Sequence, residues 1–203
     1  METSNKALHK IFAAPTFSLP RVRKYRLGDK IPLEDLVGLV LGGVAGCDSL
    51  SINKEAFVTL RLAGEGSLLN LGQYLASMAL NRQFICETPI AVVAVMDCKA
   101  FKQEVTRLAL HDTLLLQFSK HEVDAEETAL YLSSGTSYDK VLWAIRRYQK
   151  STKSTGDLPV LKSRLAAHAG VTIETVSRAL SQMVSNGELT ERTNSNLKLK
   201  EAS

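Results

Sequence analysis

Glu174 and Arg178 stand one helical turn apart in Thr172-Ile-Glu-Thr-Val-Ser-Arg178, and Ile173, Ser177 and Ser181 join them on the same face. These residue types suit the edges of base pairs. A guanidinium pairs bidentately with guanine, a carboxylate accepts from the amino group of cytosine, a hydroxyl takes either role, and an aliphatic side chain can meet a thymine methyl. The plainer alternative is an i,i+4 ion pair on a solvated helix, a contribution of about 0.3–0.5 kcal/mol. That accounts for Glu174 and Arg178 but not for what surrounds them.

The surroundings are those of two helices joined by a tight turn. Lys162–Ala169 reads as a short helix stopped by Gly170, which can take the left-handed conformation of a C-cap. Thr172 is a good N-cap for a second helix, and Glu174 in its first turn is favoured by the helix dipole. Val176, Ala179, Leu180 and Met183 recur at three- and four-residue spacing, so they face inward against Leu165, Ala166 and Ala169. This is a helix-turn-helix. His168, in its first helix, is expected to meet solvent or DNA phosphate. Beyond Met183 the chain reads as two short strands around a Thr193–Asn196 turn, a wing from which Arg192, Lys198 and Lys200 could reach phosphate. The candidate DNA-contacting set is Thr172, Ile173, Glu174, Thr175, Ser177, Arg178, Ser181 and Lys198.

The rest of the chain must carry this motif. Residues 1–133 hold 14 Lys and Arg against 15 Asp and Glu, whereas the remainder holds 11 against 6, so the excess positive charge sits with the motif. Seven of the 12 glycines fall between Gly38 and Gly72. They and later turn residues separate strand-like runs at Val37–Val44, Phe57–Leu62 and Ile90–Met96, the pattern of a small antiparallel sandwich or roll. From Asp97 to Gly135 there is no further Gly or Pro, and helices are expected near Cys98–Thr106 and over Leu108–Leu132. In the longer one Leu108, Leu115, Phe118, Ala125, Ala129 and Leu132 fall on a and d positions of a heptad. Such a stripe serves either as the seam of a homodimer or as the face that packs on the chain's own β-domain. Ser133–Ser137 then reads as a hinge, Tyr138–Lys150 as a helix and Ser151–Asp157 as a polar loop.

Composition excludes several classes. No run approaches the roughly 20 apolar residues of a membrane span, and Met1–Lys10 is too polar for a signal peptide, so no membrane is expected and the cytoplasm is the expected compartment. Cys47, Cys86 and Cys98 are too far apart for a metal or disulfide framework and read as buried small residues, with a redox-sensing thiol as the alternative. All four histidines lie outside the strand region Val37–Met96, which argues against a cupin-like metal enzyme, and no nucleophile or phosphate-loop motif of recognised form is present. No cofactor is expected.

The order of these parts resembles the CRP/FNR family of bacterial transcription regulators, most sharply in Thr172-Ile-Glu-Thr-Val-Ser-Arg178. The resemblance implies an α+β chain of three parts. These are an N-terminal antiparallel β-roll of the cyclic-nucleotide-binding type (1–107), a long dimerisation helix (108–133) and a C-terminal winged helix-turn-helix (134–203). It also implies a homodimer, joined through the Leu108–Leu132 helix, that binds an inverted repeat in double-stranded DNA, with RNA polymerase as a further partner if the chain activates. Ser177 beside Arg178 is similar to the FNR branch and implies a TTGA-type half-site. The effector pocket of such a roll would map onto Asn70, Leu71, Gly72, Arg82 and Gln83. Leu71, however, stands where the family's nucleotide binders have a ribose-holding glutamate, and Arg82 is a loose match to their phosphate ligand, so cyclic AMP is not expected. The FNR branch's N-terminal cysteine cluster is missing, which disfavours an iron-sulfur switch. His9, His111 and His121 remain as conceivable haem ligands or, more plainly, as surface and helix histidines. A regulator that works without a small-molecule effector, or through a protein bound to the β-domain, fits the same residues.

Overall fold

A computed structural model describes residues 2–13, 20–50, 57–76, 82–152, 158–159, 161–192 and 196–199. In chain order the first half comprises α1 (Glu2–Ala13), β1 (Arg21–Arg26), β2 (Leu36–Gly42), β3 (Ala45–Leu50), β4 (Phe57–Ala63), β5 (Leu68–Leu69), α2 (Leu71–Ala76), β6 (Arg82–Cys86) and β7 (Ile90–Asp97). The second half comprises α3 (Cys98–Arg107), α4 (His111–Ser134), α5 (Ser137–Thr152), β8 (Leu158–Pro159), α6 (Lys162–Ala169), α7 (Ile173–Ser185), β9 (Leu189–Arg192) and β10 (Asn196–Leu199).

Two antiparallel sheets, in the orders β1-β7-β2-β5 and β4-β3-β6, form the N-terminal domain. The most apolar strands lie inside: β7 pairs with both β1 and β2, and Val93, Ala94, Val95 and Met96 are all buried. The expected strands at Val37, Phe57 and Ile90 are present as β2, β4 and β7. β1, β3 and β6 complete the sheets from segments whose apolar pattern is weaker. β1 is an edge strand whose Arg21, Arg23, Lys24 and Arg26 discourage pairing with another chain. The β3–β4 ladder has one irregularity. Cys47 pairs with Arg61 but Asp48 pairs with Thr59, leaving Leu60 as an extra residue on β4. Adjacent strand residues face opposite ways, so Cys47 and Arg61 look into the β-domain core while Asp48 and Thr59 look out of it.

The helices are capped where composition changes. Asp97 accepts hydrogen bonds from the amides of Lys99 and Ala100 at 2.8 and 3.1 Å and starts α3. α4 and α5 are separated only by Gly135 and Thr136. Thr136 and Asp139 cap each other there, the Asp139 amide donating to Thr136 Oγ1 at 3.2 Å and the Thr136 amide to Asp139 Oδ2 at 3.1 Å.

The long helix begins three residues later than its pattern suggested, because Leu108 caps α3 and Ala109 turns through a left-handed φ of 51°. The heptad stripe does not keep to one environment: Leu108, Ala125 and Leu132 are half-buried, whereas Leu115, Phe118 and Ala129 are exposed. Leu114, Gln117, His121 and Thr128 lie against the β-domain of the same chain, where Thr128 Oγ1 donates to Leu60 O at 2.8 Å and Gln117 Nε2 to Gly66 O at 3.4 Å. On the outward face Leu116, Val123 and Leu130 follow one another at seven-residue intervals with 66, 61 and 65% of their surface exposed, beside Leu115 at 64%. Leu114-Leu-Leu116 is apolar on every side, so a heptad can be started from any of the three; the tertiary contacts of Leu114 decide it.

His121 Nε2 is buried with no hydrogen-bond partner among the described residues. Burial, together with the Arg61, Lys120 and Arg82 cations, pushes this imidazole down to about 3, from an ordinary 6.5. The unfolded chain therefore binds a proton that the folded chain refuses, and stability rises with pH between these values. Chemical denaturation of the wild type should show stability falling from pH 6.5 towards pH 4 by up to about 1.4 kcal/mol per pH unit, and His121→Gln should flatten that slope. An unchanged slope in the variant would remove His121 as its source.

Candidate nucleic-acid interface

The motif folds from its own punctuation. α6 ends at Gly170, in the left-handed conformation with φ 61°, whose amide donates to Ala166 O. Two residues on, Thr172 is extended, and its Oγ1 accepts from the Thr175 amide at 3.3 Å to start α7. Val176, Ala179, Leu180 and Met183 of α7 are buried with Leu165, Ala166 and Ala169 of α6 and Val141, Ala144, Ile145 and Tyr148 of α5. This core also takes in Leu189, so α5, α6, α7 and β9 share one apolar centre.

The opposite face of α7 is free. Ile173, Glu174, Arg178 and Ser181 are exposed, and Ile173 keeps 47% of its surface. Glu174 and Arg178 make no ion pair within bonding distance; Arg178 Nη2 instead donates to Thr175 Oγ1 at 3.3 Å. Hydrogen bonds at the head of the helix, from the Glu174 amide and the Thr172 side chain, hold the Glu174 carboxyl below its usual range, and the charge of Arg178 adds a smaller effect in the same direction. Glu174 thus stands as a carboxylate acceptor, and Arg178 keeps guanidinium donors that no described carboxylate takes up. Thr172, Thr175 and Ser177 flank them, with Ser181 Oγ turned back to Ser177 O at 3.0 Å. β10 pairs with both β8 and β9, which gives the wing, and Lys198 lies opposite Thr190 in that ladder. The wing's turn at 193–195, and Lys200, lie outside the described residues.

The first helix departs from expectation. His168 meets neither solvent nor any DNA-facing surface. It is fully buried, with Nε2 3.1 Å from Glu87 Oε1 and its ring edge-on to Tyr148 at 6.1 Å. The reason is a neighbour one turn earlier. Arg164 reaches out of α6 into the β-domain, where Nη1 donates to Asp48 Oδ2 at 2.7 Å, Nη2 to Asp48 Oδ1 at 2.9 Å and to Thr59 Oγ1 at 3.1 Å, and Nε to Glu87 Oε1 at 3.0 Å. Nη2 also bonds Glu87 Oε1. Gly46 makes room for this, since a side chain there would strike the Glu87 carboxylate. Burial by itself would raise the carboxyl of Glu87, but His168 and Arg164 outweigh it and hold the group at about 2. A second fastening lies nearby: Arg147 of α5 donates to Thr59 O and Leu60 O at 3.3 and 2.7 Å and stacks on Trp143, its guanidinium 4.9 Å from the ring centre.

Of the residues expected to line an effector pocket, Leu71 lies in the core and Asn70 at a turn. Asn70 takes a left-handed φ of 61° and donates from Nδ2 to Leu33 O and Leu36 O at 2.8 and 3.0 Å, so it ties a turn. Leu71 is buried in the core with Leu39, Met96 and Phe101. Gly72 follows it in α2, Arg82 is exposed at the start of β6, and Gln83 donates to Asp48 Oδ2 at 3.4 Å. A cleft of about 970 Å³ lies elsewhere, between the β-domain, α4 and α5, with Tyr131 and Trp143 stacked at 4.8 Å on its wall and none of those five residues in its lining. Burial pushes all three cysteine thiols up, Cys98 to about 11, which disfavours the reactive thiolate. Among the described residues no group of three His, Cys, Asp or Glu side chains is placed to hold a metal ion, and no helix is long and apolar enough to cross a membrane.

Residues 140–202 match the family model of the Crp-like helix-turn-helix domain. The whole chain is similar in fold to solved transcription regulators. The c-di-GMP responsive global regulator CLP of Xanthomonas campestris is 15% identical with a TM-score of 0.77, the match covering 97% of this chain and 99% of that one. FixK2 of Bradyrhizobium japonicum is 18% identical with a TM-score of 0.71, covering 91% and 94%. A CRP/FNR-family regulator of Thermus thermophilus is 16% identical with a TM-score of 0.70, covering 89% and 94%. No curated protein sequence matches the chain. The C-terminal part of the protein is a Crp-like helix-turn-helix domain, and the chain as a whole has the CRP/FNR fold, a cyclic-nucleotide-binding-like β-domain included.

The low value of Glu87 ties stability to acid. Its folded-state carboxyl lies below the ordinary 4.5, so its contribution is complete above that pH and is lost as pH falls towards 2. Glu87→Gln should cost about 3 kcal/mol at pH 7 and less with each step below pH 4.5. A constant cost across that window, followed by denaturant titration, would contradict the assignment.

Proposed function

We propose that this protein is a sequence-specific DNA-binding transcription regulator that acts as a homodimer on an inverted repeat, without cyclic AMP. The observation that carries this reading is the free polar face of α7. Its apolar side is fully used in packing, and Glu174 and Arg178 are left unpaired with each other on the side that would enter a major groove. Ile173 and Ser177 complete the reading face, Thr172, Thr175 and Ser181 flank it, and Lys198 in the wing strand β10 would supply a phosphate contact. By resemblance the half-site is of the TTGA type.

The dimer is argued from α4. Leu116, Val123 and Leu130 form an apolar stripe along roughly 21 Å of helix, and no described residue of the same chain covers them. A second copy of this helix would bury the stripe in the manner of a coiled coil. Two recognition helices related by a two-fold axis then meet successive major grooves about 34 Å apart. Independence from cyclic AMP is supported by Leu71, a buried aliphatic residue that by resemblance stands in for the ribose-holding glutamate. The same burial supports the second reading, a regulator whose β-domain takes no small-molecule effector.

Selection of bound DNA from a random pool, with no nucleotide added, should yield an inverted repeat; enrichment of no sequence would refute the proposal. Arg178→Ala should weaken binding to that repeat by about 1–3 kcal/mol and relax the preference at one guanine in each half-site. Equal weakening on every DNA would make Arg178 a phosphate contact instead. Paired Val123→Glu and Leu130→Glu should give a monomer by sedimentation, and a variant that sediments as a dimer would move the seam away from α4.

A further inference from the structure

The helix-turn-helix domain has its own core, built from α5, α6, α7 and β9, and this core is complete without Arg164. Yet Arg164 is the most heavily bonded side chain of α6, and all its side-chain partners lie in the other domain: Asp48 on β3, Thr59 on β4 and Glu87 after β6. Folding of the DNA-binding domain therefore does not explain the network. Screening of the reading face does not explain it either, because Ile173, Glu174 and Arg178 stay exposed with the network intact.

What the network fixes is direction. A planar guanidinium gripped by the two oxygens of Asp48 on one edge and by Glu87 on the other tolerates little rotation. Arg147 adds a second point of attachment on β4, and the link between α4 and α5 is only Gly135 and Thr136. Two separated fastenings and a short link leave the domain one orientation relative to α4. Around the network, His168 lies against Glu87, Tyr148 lies edge-on to His168, and Gln83 donates to Asp48.

We propose that Arg164 is a positioning residue for DNA recognition: by docking α6 on Asp48 and Glu87 of the same chain it sets the angle of α7 to α4, and so the separation of half-sites that a dimer accepts. This rests on the homodimer reading above. If α4 supplies the two-fold axis, the angle between α4 and α7 determines where the two recognition helices fall along the duplex. A domain freed from its dock would sample several angles and would accept several spacings, each less tightly.

The test is a panel of inverted repeats that differ only in spacer length, with one isolated half-site added, measured by fluorescence anisotropy for the full-length wild type, Arg164→Gln and Glu87→Gln, each well below its own melting temperature. The wild type should prefer one spacer. In Arg164→Gln the discrimination between the best spacer and its neighbours should fall on the order of tenfold, with half-site affinity held within about threefold. Loss of folded structure alone would weaken every DNA in parallel. Should Arg164→Gln not fold, Glu87→Gln, which keeps the pair with Asp48, carries the test with a smaller flattening in the same direction. A spacer profile unchanged in the folded variants overturns the role of Arg164 while leaving the dimer reading intact. A wild type without preference for any repeat overturns that reading first, and this inference with it.

Discussion

The burial of one guanidinium organises how this chain is put together. Arg164 has 9% of its surface exposed and lies between two carboxylates that are fully buried, so each charge depends on the others for the solvation it gave up on folding. Burial alone would disfavour the charged guanidinium, but its hydrogen bonds to Asp48 and Glu87 reverse that and hold the proton more firmly than usual. Such a network adds little net stability compared with an apolar filling of the same space, since desolvation consumes most of the attraction. Its value is directional. An apolar contact between the domains would allow small slides at low cost, whereas five hydrogen bonds from three nitrogens allow one seating.

This division of labour runs through the molecule. Three apolar clusters supply stability, two in the β-domain and its helices and one in the helix-turn-helix domain. Polar side chains supply the joints. Thr128 ties α4 to the extra residue Leu60, Arg147 ties α5 to Thr59 and Leu60, and Arg164 ties α6 to Asp48 and Thr59. All three joints converge on β4 at its irregularity. A regular ladder would have placed Thr59 and Arg61 on one face; the extra residue turns Thr59 outward to the DNA-binding domain and keeps Arg61 inside, where burial lowers the guanidinium and its Nη2 reaches Leu68 O at 3.4 Å.

What the sequence disclosed follows from the range of the forces involved. Helix punctuation is local, so Gly170 and Thr172 marked the turn of the motif, and the three- and four-residue spacing from Val176 to Met183 identified its buried face. Apolar strands were legible for the same reason, as in β2 and β7. β1, with four cations in six residues, and β3, which reads Ala-Gly-Cys-Asp-Ser-Leu, carry no such local signal and exist because neighbouring strands pair with them. α4 was legible as a helix but not in its orientation, because Leu114, Leu115 and Leu116 offer equivalent apolar contacts until Thr128 finds Leu60. Arg164 and His168 were illegible: their polar partners in the β-domain are 77 to 116 residues away in sequence, and a basic residue on the first helix of a DNA-binding motif has an obvious but mistaken role in phosphate contact.

Reading and aiming thus draw on different parts of the physics. The residues that could read bases are exposed, locally capped and independent of the rest of the chain, so their chemistry follows from a dozen consecutive residues. Aiming requires a rigid relation between α7 and the helix that would pair two subunits, and no local segment can supply it. On the reading proposed above, the β-domain supplies it. Asn70 and Leu71, two of the residues expected to line an effector pocket, here tie a turn and fill the core. Asp48 and Glu87 reach out of the same domain to the DNA-binding helices. On this reading the β-domain serves as the abutment against which the recognition helix is set, and changes in its shape would reach DNA through the carboxylates that hold Arg164.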